Sequence, residues 1–238
     1  MIGTQEQQQR RQRTLGRLRQ HQPVILPSML QCNFGNLQAE IASLEAADIQ
    51  ALHLDVMDGH FVPNLTYGMP IAEACRKLTS MPIDTHLMIS EPGRYADQFI
   101  AAGTDVITFH IEAVPQPAEL LQHIQSQGVA AGLVLNPSTS LERVLPFIEA
   151  CDLLLVMSVE AGFGGQKFNA DMLERVRQVR SKFGGEFLIE MDGGIGENTI
   201  ASCVEAGADL LVVGSAIFGK SHYGDAIARL TQLVSADS

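Results

Sequence analysis

The amino-acid sequence predicts a closed (β/α)₈ TIM barrel. From Val24 onward, eight short apolar runs alternate with segments of helical periodicity. Alternation of strand and helix makes the strands parallel, because each helix returns the chain to the same end of the sheet. No GxGxxG motif follows the first run, which counts against a doubly wound open sheet. The 238 residues suffice for one such domain, which we assign to residues 23–238.

The eight runs predict the strands in order. They are VILPS (24–28), ALHLDV (51–56), PIDTHLM (82–88), DVITFHI (105–111), VAAGLVL (129–135), DLLLVMSV (152–159), EFLIEMD (186–192) and DLLVVGS (209–215). Apolar residues at i, i+3, i+4 and i+7 predict helices between them. Examples are NLQAEIASLEAA (36–47), GRYADQFIAAG (93–103), SLERVLPFIEA (140–150) and ADMLERVRQVRSKF (170–183).

The first 22 residues differ in composition from the rest. They are rich in Gln and hold five of the sixteen basic residues. This composition predicts a disordered tail. The segment lacks the apolar stretch of about 7–15 residues that a signal peptide needs.

Bulk composition narrows the possible partners. A net charge of −11 argues against a nucleic-acid partner, which would need a dense basic surface. No apolar run approaches the roughly 18 residues of a membrane span. Four well-separated cysteines indicate buried thiols in a reducing compartment. We therefore expect a cytoplasmic protein that binds a small molecule and forms a homo-oligomer through its apolar barrel helices.

Polar side chains cluster at the predicted strand ends. His53 and Asp55 share one face of the second strand, His86 lies in the third, and Asp192 ends the seventh. In a barrel these ends converge. Two imidazoles and two carboxylates suit Zn²⁺, Fe²⁺, Mn²⁺ or Co²⁺ better than Ca²⁺ or Mg²⁺. The alternative is that the histidines are hydrogen-bonded core residues and the aspartates begin turns.

Two further groups occupy the same end of the predicted barrel. Met57, Met88 and Met157 form either a flexible apolar wall around a bound intermediate or ordinary core packing. Glycines in AGFGGQ, DGG and GS follow the last three strands, where a barrel often binds phosphate, although plain turns also use glycine. His110 is expected to be a hydrogen-bonding residue beside the metal ligands or in the core.

These motifs resemble those of the ribulose-phosphate 3-epimerase family. HLDVMDGHFVPN, HLM, LVMSVEAGFGGQKF, EMDGGI and GSAIFG carry the resemblance, which extends from about residue 23 to 233. It implies metal-dependent epimerisation of D-ribulose 5-phosphate at C3, a pentose phosphate pathway reaction that passes through an enediolate. It also implies that His53, Asp55, His86 and Asp192 bind the metal. The implied acid/base pair is Asp55 and Asp192. The implied substrate contacts are Ser28, His86, Gly162, Phe163, Gly164, Gly165, Asp192, Gly193, Gly194, Gly214 and Ser215.

Three other functions are weighed against this one. An epimerase acting on a six-carbon ketose phosphate such as D-allulose 6-phosphate would share every motif. A phosphosugar lyase or decarboxylase of a related barrel would carry Asp-x-Lys-x-x-Asp at the third strand, where this chain reads Asp84-Thr85-His86 and has no lysine. A non-enzymatic phosphate-binding barrel would not need both aspartates.

Overall fold

The chain forms a nearly closed barrel of eight parallel strands surrounded by helices, and the predicted fold is confirmed. The structure, a computed structural model, describes residues 3–235. Hydrogen-bonded neighbours run in the order β1-β8-β7-β6-β5-β4-β3-β2. A single parallel bridge between Ser28 and His53 joins the two ends of this order, next to the predicted site.

The strands and helices have the following bounds. The strands are β1 Val24–Pro27, β2 Leu52–Met57, β3 Ile83–Met88, β4 Val106–His110, β5 Ala130–Leu135, β6 Leu153–Met157, β7 Leu188–Asp192 and β8 Leu210–Val213. The α-helices are α1 Gln5–Gln20, α2 Leu37–Ala46, α3 Met69–Leu78, α4 Ala96–Ala101, α5 Ala118–Ser126, α6 Met172–Phe183, α7 Ile200–Ala206, α8 Ser215–Phe218 and α9 Tyr223–Ser235.

Strand alternation separates the barrel into two apolar regions and a polar interior. Outward residues such as Leu52 and Leu54 pack beneath the helices in the main core. Inward residues at the amino ends of the strands form a smaller apolar layer. The register pairs Asp55 with His86 and Met57 with Met88, so these side chains lie at matching levels near the carboxyl ends.

The segment after β5 differs from its prediction. Instead of an α-helix over residues 140–150, the chain forms two 3₁₀ segments, Leu141–Arg143 and Leu145–Ala150. Pro146 lies in the second segment and has no N–H to donate to an α-helical hydrogen bond. Apolar periodicity predicted the buried face correctly, because Leu141 and Ile148 are buried.

The amino-terminal segment also differs from the predicted disordered tail. Residues 5–20 form α1, which starts with a capping box between Thr4 and Gln7. Leu15 and Leu18 are buried against the apolar layer at the amino ends of the strands. Arg11 binds the Asp152 carboxylate through two nitrogens, which adds a polar anchor. The segment is ordered because the amino end of the barrel offers an apolar surface to its leucines and carboxylates to its arginines.

Within residues 3–235, no helix is both long and apolar enough to cross a membrane.

Candidate active site

A cavity of about 500 Å³ opens at the carboxyl ends of the strands. Fourteen of the sixteen predicted site residues line it, and His53 and His86 lie behind its wall, fully buried. The fourteen are Ser28, Asp55, Met57, Met88, Met157, Gly162, Phe163, Gly164, Gly165, Asp192, Gly193, Gly194, Gly214 and Ser215. The structure therefore brings together residues from six of the eight strand–helix units.

Four potential metal ligands meet at the floor of this cavity. His53, Asp55, His86 and Asp192 each offer a donor atom, and the four atoms lie within 4.8 Å of one another. His53 Nε2 and His86 Nδ1 face Asp55 Oδ1 at 3.3 and 3.4 Å. Among the described residues, neither nitrogen has a hydrogen-bond partner although both are buried. Unpartnered nitrogens beside carboxylate oxygens fit a divalent cation of the transition-metal type.

The ligand candidates are held from behind. Asp84 Oδ2 lies 2.6 Å from His53 Nδ1, and Glu190 Oε1 lies 3.2 Å from the same nitrogen. A carboxylate there orients the ring and leaves Nε2 directed at the cavity floor. Ser28 donates a 2.5 Å hydrogen bond to Asp55 Oδ2, which leaves Oδ1 facing the histidines.

Burial and neighbouring charges raise the pKa of two of these four groups and lower the pKa of the other two. Burial raises the pKa of Asp192 to about 7, and the charge of nearby Asp55 adds to the increase. Burial acts in the same sense on Asp55, but His53 and His86 outweigh it and lower the Asp55 pKa. Burial lowers the pKa of His86 to about 4. For His53, burial lowers the pKa, but the charges of Asp55 and Asp84 prevail and raise it well above its usual value.

Close backbone approach accounts for two of the glycines. Gly193 has φ of 109°, and a Cβ there would lie 2.9 Å from Ser158 Oγ. Gly162 has φ of 129°, and Asn64 donates a 2.8 Å hydrogen bond to its carbonyl. Only glycine adopts these conformations without strain. These loops bring main chain to the rim of the cavity, where N–H groups suit an anion.

The predicted methionines divide between two parts of the wall. Met57 and Met88 pack together with Val62, and Met157 packs with Val134 and Leu155. All three line the cavity and are buried. Phe163 projects from the glycine loop with 53% of its surface exposed. The cavity thus has an apolar side as well as the polar floor.

Sequence reasoning missed several lining residues. Gln31, Glu160 and Lys220 all border the cavity. Gln31 reaches between the loops, since its side chain lies near both Gly164 and Gly214. These residues lie in loops or in the 3₁₀ segment Met29–Gln31, where no strand period marks them. The sequence offered one clue to them. Gln31 and Glu160 follow the ends of predicted strands within a few residues, and Lys220 directly follows GSAIFG.

Known proteins of similar sequence belong to one enzyme family. The model of the "Ribulose-phosphate 3 epimerase family" matches residues 24–218. Ribulose-phosphate 3-epimerase of Bacillus subtilis is 44% identical over 87% of this chain and 97% of its own length. The enzyme of Mycobacterium tuberculosis is 45% identical over 91% and 95%. A rice relative, 44% identical over 88% and 93%, is named a cytoplasmic isoform.

Solved structures share the architecture at low sequence identity. The 3-hexulose-6-phosphate synthase of Salmonella typhimurium aligns with a TM-score of 0.67 at 16% identity, covering 90% of this chain and all of that one. Orotidine 5'-phosphate decarboxylase of Pyrococcus horikoshii aligns at 0.61 and 16%, covering 89% and 99%. At this low sequence identity, the structural similarity supports the barrel fold and carries no argument about function. The family match and the relatives' identity establish that the chain belongs to the ribulose-phosphate 3-epimerase family, whose named members are isomerases.

Proposed function

We propose that this protein interconverts D-ribulose 5-phosphate and D-xylulose 5-phosphate by proton transfer at C3, with Asp55 and Asp192 as the acid/base pair. The observation that carries the proposal is the convergence of both aspartates with His53 and His86 at the floor of one cavity. Family membership supports the substrate.

Inverting a carbon next to a carbonyl requires two proton-transfer groups. One carboxylate removes the C3 proton, and the other returns a proton to the opposite face. Asp55 comes from β2 and Asp192 from β7, so they approach the cavity from different sides of the ring. The two residues exchange roles in the reverse reaction. Ser28 holds one Asp55 oxygen and so fixes the direction of the other.

The unpartnered nitrogens of His53 and His86, with Asp55 and Asp192, are the groups that would hold one divalent ion, Zn²⁺, Fe²⁺, Mn²⁺ or Co²⁺. Such an ion supplies Lewis-acid stabilisation of negative charge on the substrate oxygens as the enediolate develops. Met57, Met88 and Met157 exclude water from the apolar side of the intermediate.

The substrate phosphate is proposed to bind among the glycine loops. Gly162–Gly165, Gly193, Gly194, Gly214 and Ser215 all line the cavity, and their main-chain N–H groups are the proposed phosphate donors. Phe163 covers this part of the rim. This placement leaves the sugar carbons above the aspartates.

Proton exchange at C3 tests the proposal directly. The enzyme is incubated with D-ribulose 5-phosphate in D₂O, after metal removal and again after metal restoration, and followed by NMR. We expect metal-dependent deuterium uptake at C3 and the appearance of D-xylulose 5-phosphate. If the restored enzyme produces neither, D-allulose 6-phosphate is tested next. A higher kcat/KM on that substrate would assign the chain to the six-carbon alternative.

The proposal extends to location and assembly. We propose a cytoplasmic homo-oligomer, with the location supported by the rice relative named as a cytoplasmic isoform. Light scattering at assay concentration tests the assembly, and a single species at the monomer mass would contradict it.

A further inference from the structure

His86, His110 and Glu112 form a hydrogen-bonded chain, here called the relay, that runs from the cavity floor to the loop after β4. The two histidines are buried and Glu112 is partly buried. His86 Nε2 lies 2.9 Å from His110 Nε2, and His110 Nδ1 lies 3.1 Å from Glu112 Oε2. Both histidines are fully buried, and Phe61 packs on the His110 ring with centroids 4.7 Å apart. Neither imidazole can therefore exchange its partner for bulk water.

Two ring nitrogens 2.9 Å apart share one proton, so one donates and the other accepts. A carboxylate beside His110 Nδ1 requires a proton on that nitrogen, because two acceptors in contact would repel. His110 Nε2 is then the acceptor and His86 Nε2 the donor. This arrangement leaves the lone pair of a neutral His86 on Nδ1.

His86 Nδ1 is the atom that faces the other ligand candidates. It lies 3.4 Å from Asp55 Oδ1 and has no hydrogen-bond partner among residues 3–235. A lone pair facing a carboxylate oxygen at this distance is favourable only with a cation between them. The direction of the relay therefore determines whether this nitrogen can bind a metal.

Asn136 offers the opposite relay direction. Its Nδ2 lies 3.4 Å from His110 Nδ1 and would leave that nitrogen an acceptor. The proton of His86 would then lie on Nδ1 and block the metal site. Glu112 prevails because its oxygen is closer and charged, and charge-assisted hydrogen bonds are about twice as strong as neutral ones.

The Glu112 carboxylate is itself fixed in place. Its other oxygen, Oε1, accepts hydrogen bonds from the Asn136 N–H at 2.9 Å and from the Thr139 hydroxyl. Burial raises its pKa, but hydrogen bonds from His110, Thr139 and Asn136 outweigh burial and lower the pKa to about 2. At neutral pH, Oε2 therefore faces His110 Nδ1 as a hydrogen-bond acceptor.

We propose that Glu112 and His110 are positioning residues that hold His86 in the tautomer with a free Nδ1, ready to bind the divalent ion. This inference rests on the proposed metal site. It goes beyond the ligand set because Glu112 touches neither the cavity nor any proposed ligand.

The Glu112→Gln variant tests the direction of the relay. The Asn136 N–H and the Thr139 hydroxyl would hold the new amide oxygen at the Oε1 position, so the amide N–H₂ would face His110 Nδ1. The relay should then reverse and place the His86 proton on Nδ1. Long-range ¹H–¹⁵N NMR of histidine-labelled, metal-free protein reports the tautomer. We expect Nε2–H in the wild type and Nδ1–H in the variant.

Metal affinity provides the second readout. Chelator competition should show Co²⁺ or Zn²⁺ binding weakened by about 10–100-fold in Glu112→Gln, as is typical when a ligand histidine loses its partner. The matched control is Asp97→Asn, which changes an exposed carboxylate that bonds His123 at 2.6 Å. Its metal affinity should equal that of the wild type.

The outcomes separate this inference from the proposed function. An Nδ1–H proton on His86 in the wild type overturns the inference even if the variant fails to fold, and so does an unchanged metal affinity in the variant. Wild-type protein that shows the expected tautomer and binds metal but exchanges no C3 proton leaves the relay standing and removes the epimerase proposal.

Discussion

Asp58 shows how one side chain can join two loops at the carboxyl ends of the strands. Its Oδ1 accepts hydrogen bonds from the backbone N–H groups of His60 and Phe61, and its Oδ2 accepts one from Ser90, all at 2.8 Å. The loop after β2 is thereby joined to the loop after β3. Burial raises the Asp58 pKa, but these hydrogen bonds prevail and lower it below its usual value.

The Asp58→Asn variant should lose the bond to Ser90, because an amide N–H₂ would face the Ser90 N–H. We expect a decrease of about 1–3 kcal/mol in the free energy of unfolding at pH 7. A lowered pKa stabilises the fold above the ordinary value of about 4, and this stabilisation disappears as the pH falls through the folded-state pKa. Urea unfolding from pH 7 to pH 3 should show the two proteins converging below about pH 4. A deficit independent of pH would contradict this.

Asp55 and Asp192 are predicted to be separately essential. Asp55→Asn and Asp192→Asn should each lower kcat by about 10²–10⁴-fold, which is the usual contribution of an acid/base group. Glu160→Gln, which neutralises another carboxylate on the cavity wall, should have a smaller effect. Steady-state rates with metal content measured in parallel provide the check. Near wild-type turnover in either Asn variant with metal bound would refute the pair.

The site was predictable where residues obey the strand period. His53, Asp55 and Met57 alternate along β2, so their common direction could be inferred without coordinates. Gln31 and Lys220 lie outside the strands, and Glu112 acts through His110. Their positions depend on loop paths, which local sequence patterns do not determine.

At the scale of elements, α1 shows the limit of compositional reasoning. Its Gln and Arg residues suggested disorder, yet two leucines and two arginines of the helix have specific partners on the barrel. Leu15 and Leu18 cover the amino ends of the strands, and Arg10 and Arg11 bind Asp105 and Asp152. A helix of this composition is stable because of its docking site. The sequence of the segment does not contain that information.

The Leu18→Ala variant tests whether α1 packs in solution. Removing a buried leucine side chain should cost about 2–5 kcal/mol of unfolding free energy. The exposed Gln12→Ala in the same helix should cost far less. Because α1 lies at the opposite end of the barrel from the cavity, kcat and KM should not change. Equal stability of the two variants would favour the disordered-tail prediction, which was made for residues 1–22.

Across the whole molecule, the barrel interior concentrates carboxyl groups in a chain that is already acidic. Asp55, Asp84, Glu190 and Asp192 are grouped around two imidazoles inside the ring. The closed parallel barrel was predictable because eight strand–helix units alternate. Strand period also places Asp84 on the face of His86 and Glu190 on that of Asp192, but their contacts with His53 Nδ1 depend on how β2, β3 and β7 meet inside the ring.

A divalent ion would join β2, β3 and β7 and offset the repulsion within this cluster, so metal removal should destabilise the entire barrel. Ligand binding at 100 times Kd stabilises a fold by about 2.7 kcal/mol, which predicts a Tm several degrees higher with Zn²⁺ or Co²⁺ than after chelation. The His53→Asn/His86→Asn double variant should retain little of this difference. Identical calorimetric Tm values for wild-type protein with and without metal would show that the cluster holds no ion, because a bound ion cannot leave stability unchanged.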